Sequence, residues 1–415
     1  MTRIHNRNPR FPASRVLQAV LLAALLLTAP VVTATPMSAQ TQPILTWQGE
    51  IRPRIYGREP VEGQWDHWIS MRSRVGLDAR IEPGLGLFFQ IQDVRFWGEE
   101  VSNRDRDSDA IDFHQAYLEV ASVPGIGGLV RGGRQEVTVA EGRFIAAPDW
   151  GQGGQSFDGI RWTRPLGEGH LDVVYLRIRE GSSPVHQQSA DFTAAWLAIP
   201  GVPLGSLELL GIHDRSSDPA GTGQTTVGSI WKGDTGVFSF AARGMYQLGE
   251  REGIDVAAFM VAFRGSMALL DRKGTITVWY DHLSGDSDAR DGKTGAFSTL
   301  FGARHRFYGR ADYFLNIPDD TGQLGLRDAA LKLAYAPNPE WFLNLDLHSF
   351  STAEPGHLSS RGLAEEVDLW IGHQFRGALA LEVGYSLTFA GTAMEELGRL
   401  RGMGNVGYFM TSLRF

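Results

Sequence analysis

The sequence predicts an all-β chain: a transmembrane antiparallel β-barrel of about 18 strands, with short turns at one end and longer loops at the other. Three observations carry this expectation. Stretches of roughly ten residues alternate apolar and polar side chains along most of the chain, and their connections are short and long by turns. The last stretch, Asn405 to Phe415, sets Phe409, Thr411, Leu413 and Phe415 against Tyr408, Met410, Ser412 and Arg414, and then the chain stops. A strand with no later partner leaves a raw edge unless the sheet closes on itself.

A final strand ending in an aromatic residue resembles the terminal signature of bacterial outer-membrane barrels, which marks the chain for the barrel-assembly machinery. The other end agrees. Arg3, Arg7, Arg10 and Arg15 precede an apolar run from Val16 to Leu27 and then small residues, with cleavage expected after Ala34 or Ala39. Basic head, short apolar core and small-residue exit describe a secretory signal peptide. The expected division is therefore 1–39 as leader and 40–415 as barrel. Beyond the leader no apolar run approaches the ~18–20 residues of a membrane helix, and the longest, Ala257 to Phe263, has the length of a strand.

Losing the leader removes four arginines and no acid, so 39 Lys+Arg become 35 against 47 Asp+Glu, and net charge moves from -8 to -12. That balance argues against a nucleic-acid partner. With Cys at 0, the fold uses no disulfide and the chemistry no thiolate.

Taken in order, the first strand, Leu45 to Tyr56, places Leu45, Trp47, Ile51 and Ile55 on one face and Gln48, Glu50, Arg52 and Arg54 on the other. The second, Trp68 to Ile81, opposes Ile69, Met71, Val75, Leu77 and Ala79 to Arg72, Arg74, Asp78 and Arg80. The turn Glu82-Pro83-Gly84 leads to Leu87–Trp97, and a polar loop, Gly98–Ala110, to Ile111–Val120. Longer loops are expected near Ala140–Gln155, Glu180–Ser189, Asp214–Gly223, Leu248–Gly253, Gly285–Gly325, Ser351–Leu363 and Ala390–Gly404. The late strands alternate most cleanly: Ala329, Leu331, Leu333 and Tyr335 oppose Asp328 and Lys332, while Trp341, Leu343, Leu345 and Leu347 oppose Asn344, Asp346 and His348. Val367, Leu369 and Ile371 then oppose Glu366 and Asp368, and Leu381, Val383, Tyr385 and Leu387 oppose Glu382, Ser386 and Thr388.

Lipid demands that every backbone N–H and C=O be paired internally, which a closed barrel achieves. A charge facing lipid at mid-depth costs ~2–4 kcal/mol, so the charged faces are expected inside. Trp47, Tyr56, Trp97, Tyr280, Tyr335, Trp341, Phe375 and Phe389 fit aromatic girdles at the two interfaces. On this parity Arg52, Arg54, Arg72, Arg74, Arg80, Arg95 and Arg177 line the lumen, with Glu50, Asp78, Asp93 and Glu119 facing them. Guanidinium stays charged and grips carboxylates through paired N–H bonds. A ladder of such groups offers an anion a series of replaceable partners, and it equally braces the wall by pairing with lumen acids.

Gln90 through Gly98, Phe113 through Glu119, Gly133-Arg134-Gln135-Glu136, Gly142-Arg143-Phe144, Asp149-Trp150, Ser156 through Arg161, and Phe297 through Asp312 resemble the alginate-export family of outer-membrane channels. The resemblance implies an 18-stranded monomeric barrel whose arginine-rich constriction passes a polyuronate. It makes Asp93, Arg95, Arg134, Glu136, Arg143, Asp158, Arg161 and Arg304 constriction candidates. One departure is plain: the long periplasmic turn that plugs the alginate exporter before its penultimate strand is only Phe375-Arg376-Gly377-Ala378 here. A plug would have to come from Gly98–Ala110 or Gly285–Gly325 folding inward.

Other signals are weaker. Asp105, Asp107 and Asp109, and Asp286, Asp288 and Asp291, lack the Gly and Glu of a calcium loop and read as solvated charge. Gly125 to Gly128 precedes no Lys-Ser/Thr, and Ser156 sits in no nucleophile elbow. The expected function is a passive channel for anionic saccharides or small carboxylates, with a rim hydrolase recruiting His305 and Asp312, or a non-selective porin, as alternatives. No cofactor or metal is expected. The expected partners are outer-membrane lipid and lipopolysaccharide, and the expected location is the cell outer membrane.

Overall fold

In a computed structural model, residues 43–61, 63–99, 111–179, 190–216 and 221–415 are described. The expected leader, the expected Glu180–Ser189 loop and most of the expected Gly98–Ala110 loop lie outside these. The strands are β1 (Ile44–Val61), β2 (Gln64–Glu82), β3 (Leu85–Phe96), β4 (Asp112–Ala121), β5 (Leu129–Gln135), β6 (Phe157–Leu166), β7 (Gly169–Arg179), β8 (Ala190–Val202) and β9 (Gly205–Ser216). They continue as β10 (Thr222–Asp234), β11 (Phe238–Arg251), β12 (Ile254–Leu269), β13 (Gly274–Leu283), β14 (Leu326–Tyr335), β15 (Trp341–Ser351), β16 (Gly362–Phe375), β17 (Leu379–Ala390) and β18 (Met403–Arg414). Each pairs antiparallel with its neighbours in sequence, and β1 pairs with β18, so the sheet closes as an 18-stranded barrel. The closing seam ends on the last residue: Gly49 and Phe415 exchange backbone hydrogen bonds at 2.8 and 3.1 Å. The Phe415 ring lies where a Cβ on Gly49 would stand, so the close approach requires glycine there.

Exposure along β1 inverts that of a soluble sheet. Ile51 and Ile55 are 43% and 51% exposed while Arg52 between them is 2% exposed. Apolar faces that point outward all round a closed sheet, with charges within, match a lipid solvent. Every expected girdle aromatic lies on that outer face except Tyr56, which shares parity with Arg52 and Arg54 and is buried in the lumen against Trp68. One connection expected as a loop, Leu248–Gly253, is tight: β11 reaches β12 through Glu252-Gly253. These strands simply continue beyond the lipid belt, where pairing needs no apolar face.

The interior departs from a uniformly polar lumen. From β6 round to β14 the inward faces carry Leu176, Phe192, Ile212, Ile230, Met260 and Leu283, all fully buried. Two segments from the long-loop end, 136–156 and 284–325, fold into the barrel and pack Phe144, Ile145, Phe297 and Phe314 against this sector as a dry core. They also pair with each other, Phe301 N–H donating to Phe144 C=O at 2.8 Å and Ala303 N–H to Gly142 C=O at 2.7 Å. The 284–325 segment was one of the two expected plugs. The 136–156 segment was expected only as an outer loop.

Candidate conduction pathway

The inward segments are fixed to the wall by charge. Arg143 donates to Asp281 of β13 at 2.5 and 3.2 Å in a pair with side chains 1% and 0% exposed. Glu141 is held by Arg243 of β11 and by Lys232 of β10 at 3.2 Å. Burial alone would raise its carboxyl, but these two cations more than offset that and hold it down at about 2. Across the lumen, Asp149 meets Arg52 and Arg72 of β1 and β2 at 3.3 and 2.6 Å, and they keep it ionised against the opposing effect of burial. Gly309, at φ +83°, passes so close to Glu366 of β16 that a Cβ would collide with the carboxylate. Next to it the backbone N–H of Ala311 donates to Glu366 at 3.0 Å.

Where the two segments meet, Trp150 stacks on His305 with ring centroids 3.9 Å apart and planes 6° from parallel. The indole N–H donates to Asp312 at 3.1 Å, and Asp312 also takes a 2.6 Å hydrogen bond with His305 Nδ1. Arg54 lies 4.6 Å and Arg310 5.3 Å from the Trp150 ring, within cation–π range. This layer divides the lumen. Toward the long loops opens a cavity of about 420 Å³ bordered by Arg54, Tyr56, Arg58, Trp150 and Arg399. Toward the short turns opens another of about 330 Å³. Its cations are Arg243, Arg264, Arg306, Arg310 and Lys332, its acids Glu141 and Asp346, and its flat surfaces Trp279, Trp370 and Phe307.

Burial pushes the His305 imidazole below its ordinary 6.5, against the pull of Asp312. The stacked ring is therefore neutral at pH 7. A depressed pKa contributes stability that is complete above about pH 6.5 and lost as pH falls toward the lower, folded value. Single-channel recordings at pH 7.5 and pH 5 are expected to show larger or noisier conductance at pH 5, and a His305→Gln channel is expected to lose that difference. Identical traces would remove His305 from the dividing layer.

The sequence-derived sites separate into two groups. Arg52, Arg54, Arg72 and Arg74 line the lumen and are buried. Arg72 binds Glu50, and Arg74 donates to Gln92 at 2.6 Å and lies 3.7 Å from Glu136. Glu136 also contacts His114 at 2.8 Å. Arg161 faces inward on β6, paired with Asp172 at 2.8 Å and 5.4 Å from the Trp196 ring. Arg304 lies in the inward segment and donates to Thr299 at 3.0 Å. Arg143 serves as an anchor, enclosed between Asp281 and the Phe307 ring.

The other group is a correction. Asp93, Arg95, Arg134, Asp158 and Arg177 lie on the outer face. Asp93 and Arg95 register with Ser73 and Met71, which share the parity of exposed Val75, and they pair with each other at 2.8 Å. Arg134 registers with Ala116, beside exposed Leu118, and Asp158 is two residues from Ile160, 56% exposed. Arg177 registers with Asp158 and Asp191. All stand near strand ends adjoining long loops, where lipid gives way to headgroups and an outward charge costs only ~0–1 kcal/mol. Sequence parity also missed Arg243, Arg264, Arg306, Arg310, Trp150 and Trp279. Arg264 sits on a strand whose two faces are both largely apolar, while Arg306, Arg310 and Trp150 are on segments whose inward path no periodicity announces.

The fold resembles outer-membrane porins. OpdO of Pseudomonas aeruginosa aligns at a TM-score of 0.61 with 14% identity, over 89% of this chain and 97% of that one. OccAB4 of Acinetobacter baumannii gives 0.61 with 10% identity over 91% and 98%. A BenF-like porin from Pseudomonas fluorescens Pf-5 gives 0.62 with 11% identity over 89% and 98%. No curated protein sequence matches the chain. The alginate-export family model matches residues 58–402, which runs from the end of the first strand to the residue before the last strand. This porin-like barrel of the outer membrane belongs to the alginate-export family.

Proposed function

We propose that the protein is a passive channel for anionic solutes, and that carboxylated saccharides of the uronate type are the solutes its lumen fits best. The observation that carries this is the cavity of about 330 Å³ on the short-turn side, where five cationic side chains face two acids. Arg264 and Arg306 make no ion pair among the described residues, so their guanidiniums are available to a passing carboxylate. Trp279, Trp370 and Phe307 supply flat apolar surfaces on which the C–H face of a sugar ring can lie. The arginines of β1 and β2, by contrast, are largely compensated by Glu50, Asp149 and Glu136 and shape the wall. Family membership supports the same reading. His305 and Asp312, which a hydrolytic reading would recruit, are engaged in holding Trp150.

Reversal potentials of the purified channel in a planar bilayer under asymmetric KCl test the proposal. Anion selectivity is expected in the wild type, reduced in Arg264→Glu and Arg306→Glu and unchanged in Arg134→Glu, whose side chain is outside the pore. Oligouronate added on the short-turn side is expected to interrupt the current. A cation-selective wild type, or selectivity indifferent to both lumen substitutions, would refute the reading.

A further inference from the structure

The charges that parity misassigned form an ordered feature on the outside of the barrel. Arg134 of β5, Asp158 of β6, Arg177 of β7, Asp191 of β8 and Arg215 of β9 stand directly opposite one another in successive registers. They make one row across five strands, with Asp93 and Arg95 of β3 at the same end of the barrel. Arg134 meets Asp158 at 3.1 Å and Arg177 meets Asp191 at 2.8 Å, while Tyr175, exposed on the same face, donates to Asp191 at 2.7 Å. Neighbouring strands lie about 4.8 Å apart, so arginines on every second strand recur at about 10 Å. Beyond Arg215 the same register runs through Gly223 to Glu250 and Asp255, so the row turns acidic at β11 and β12. The arginines of the row therefore belong to one side of the barrel.

Depth gives the row its meaning. Below it on the same face stand Phe89, Ile91, Leu118 and Ile160, all exposed to lipid. Above it the strands end within a few residues at the long loops. The row thus lies at the level of the headgroups of the outer leaflet. We propose that this arc is a docking surface for the phosphates of outer-leaflet glycolipid. A guanidinium carries five donors in a planar fork, more than one carboxylate occupies. Arg134 is 35% exposed, with one hydrogen bond, to Asp158, and the exposed Asp112 carboxylate 3.8 Å away, and Arg215 is exposed at the rim. The aspartates hold the forks in register along the rim, and the phosphate takes the remaining donors. This inference depends only on the barrel fold and is independent of what the pore conducts.

Native mass spectrometry of the detergent-purified barrel with bisphosphorylated lipid A, and with the same lipid dephosphorylated, provides the test. The wild type is expected to retain bisphosphorylated lipid A in preference to the dephosphorylated form. Arg134→Gln/Arg177→Gln/Arg215→Gln is expected to lose about tenfold or more in affinity, the equivalent of one charge-assisted hydrogen bond, with single-channel conductance unchanged. Asp158→Asn/Asp191→Asn, which takes two negative charges out of the row, is expected to bind at least as tightly as wild type, so a general loss of fold is told apart from loss of the site. Equal retention of the two lipids, wild-type affinity in the arginine variant, or abolition of binding by the aspartate variant would each overturn the proposal. Displacement of the lipid by millimolar inorganic phosphate alone would likewise show that the arc does not select a lipid.

Discussion

Replacing Arg143 with methionine is expected to destabilise the folded barrel by about 3–5 kcal/mol, because it leaves a buried carboxylate without its partner. Asp281 is completely buried on the inner wall of β13, and Arg143 gives it two hydrogen bonds. The guanidinium also lies 4.3 Å from the Phe307 ring and 5.3 Å from that of Trp279, so its removal loosens both inward segments. Guanidinium-induced unfolding, followed by the heat-modifiable mobility of the folded barrel, measures the loss. The double variant Arg143→Met/Asp281→Leu is expected to recover most of it, since apolar side chains suit an enclosure lined by aromatic rings. A single variant that unfolds with the wild type would show that the pair anchors nothing.

Trp150→Ala is expected to raise single-channel conductance severalfold. The indole is stacked on His305, bonded to Asp312 and within cation–π reach of both Arg54 and Arg310, so truncation removes a wall of the long-loop cavity and the support of His305 and Arg310, which border the short-turn one. Spaces of about 420 and 330 Å³ would then communicate. His305→Ala, which leaves the indole in place, is expected to have a smaller effect. Unchanged conductance in Trp150→Ala would place the narrowest point elsewhere in the lumen. The two predictions separate by readout: the Arg143 variant changes stability first, and the Trp150 variant changes the pore while its anchors remain.

Both devices lie in segments whose sequences carry no period. Gly142-Arg143-Phe144 and Asp149-Trp150 were legible as family motifs, but nothing in their spacing says that the chain turns into the barrel there. The cause lies on the wall opposite. The run Ala257 to Phe263 is apolar at successive positions because one face of β12 meets lipid while Ala258, Met260 and Ala262 on the other are buried within the barrel. In sequence such a strand is only hydrophobic. In the closed sheet it is a landing surface, and Phe144, Phe297 and Phe314 are what land near it.

What the residues determined alone is the alternation from Leu45 to Phe415, and with it the closed sheet, its outward apolar face and its membrane solvent. Lipid forces this, since an unpaired backbone or a mid-depth charge is costly enough to be written into every strand. Only the tertiary structure decided which charges face the pore. Period 2 divides a strand into two faces, and charge identifies the inner one only while the other touches hydrocarbon. Arg134 and Arg177 stand where the hydrocarbon ends, and there an arginine is tolerated on either side.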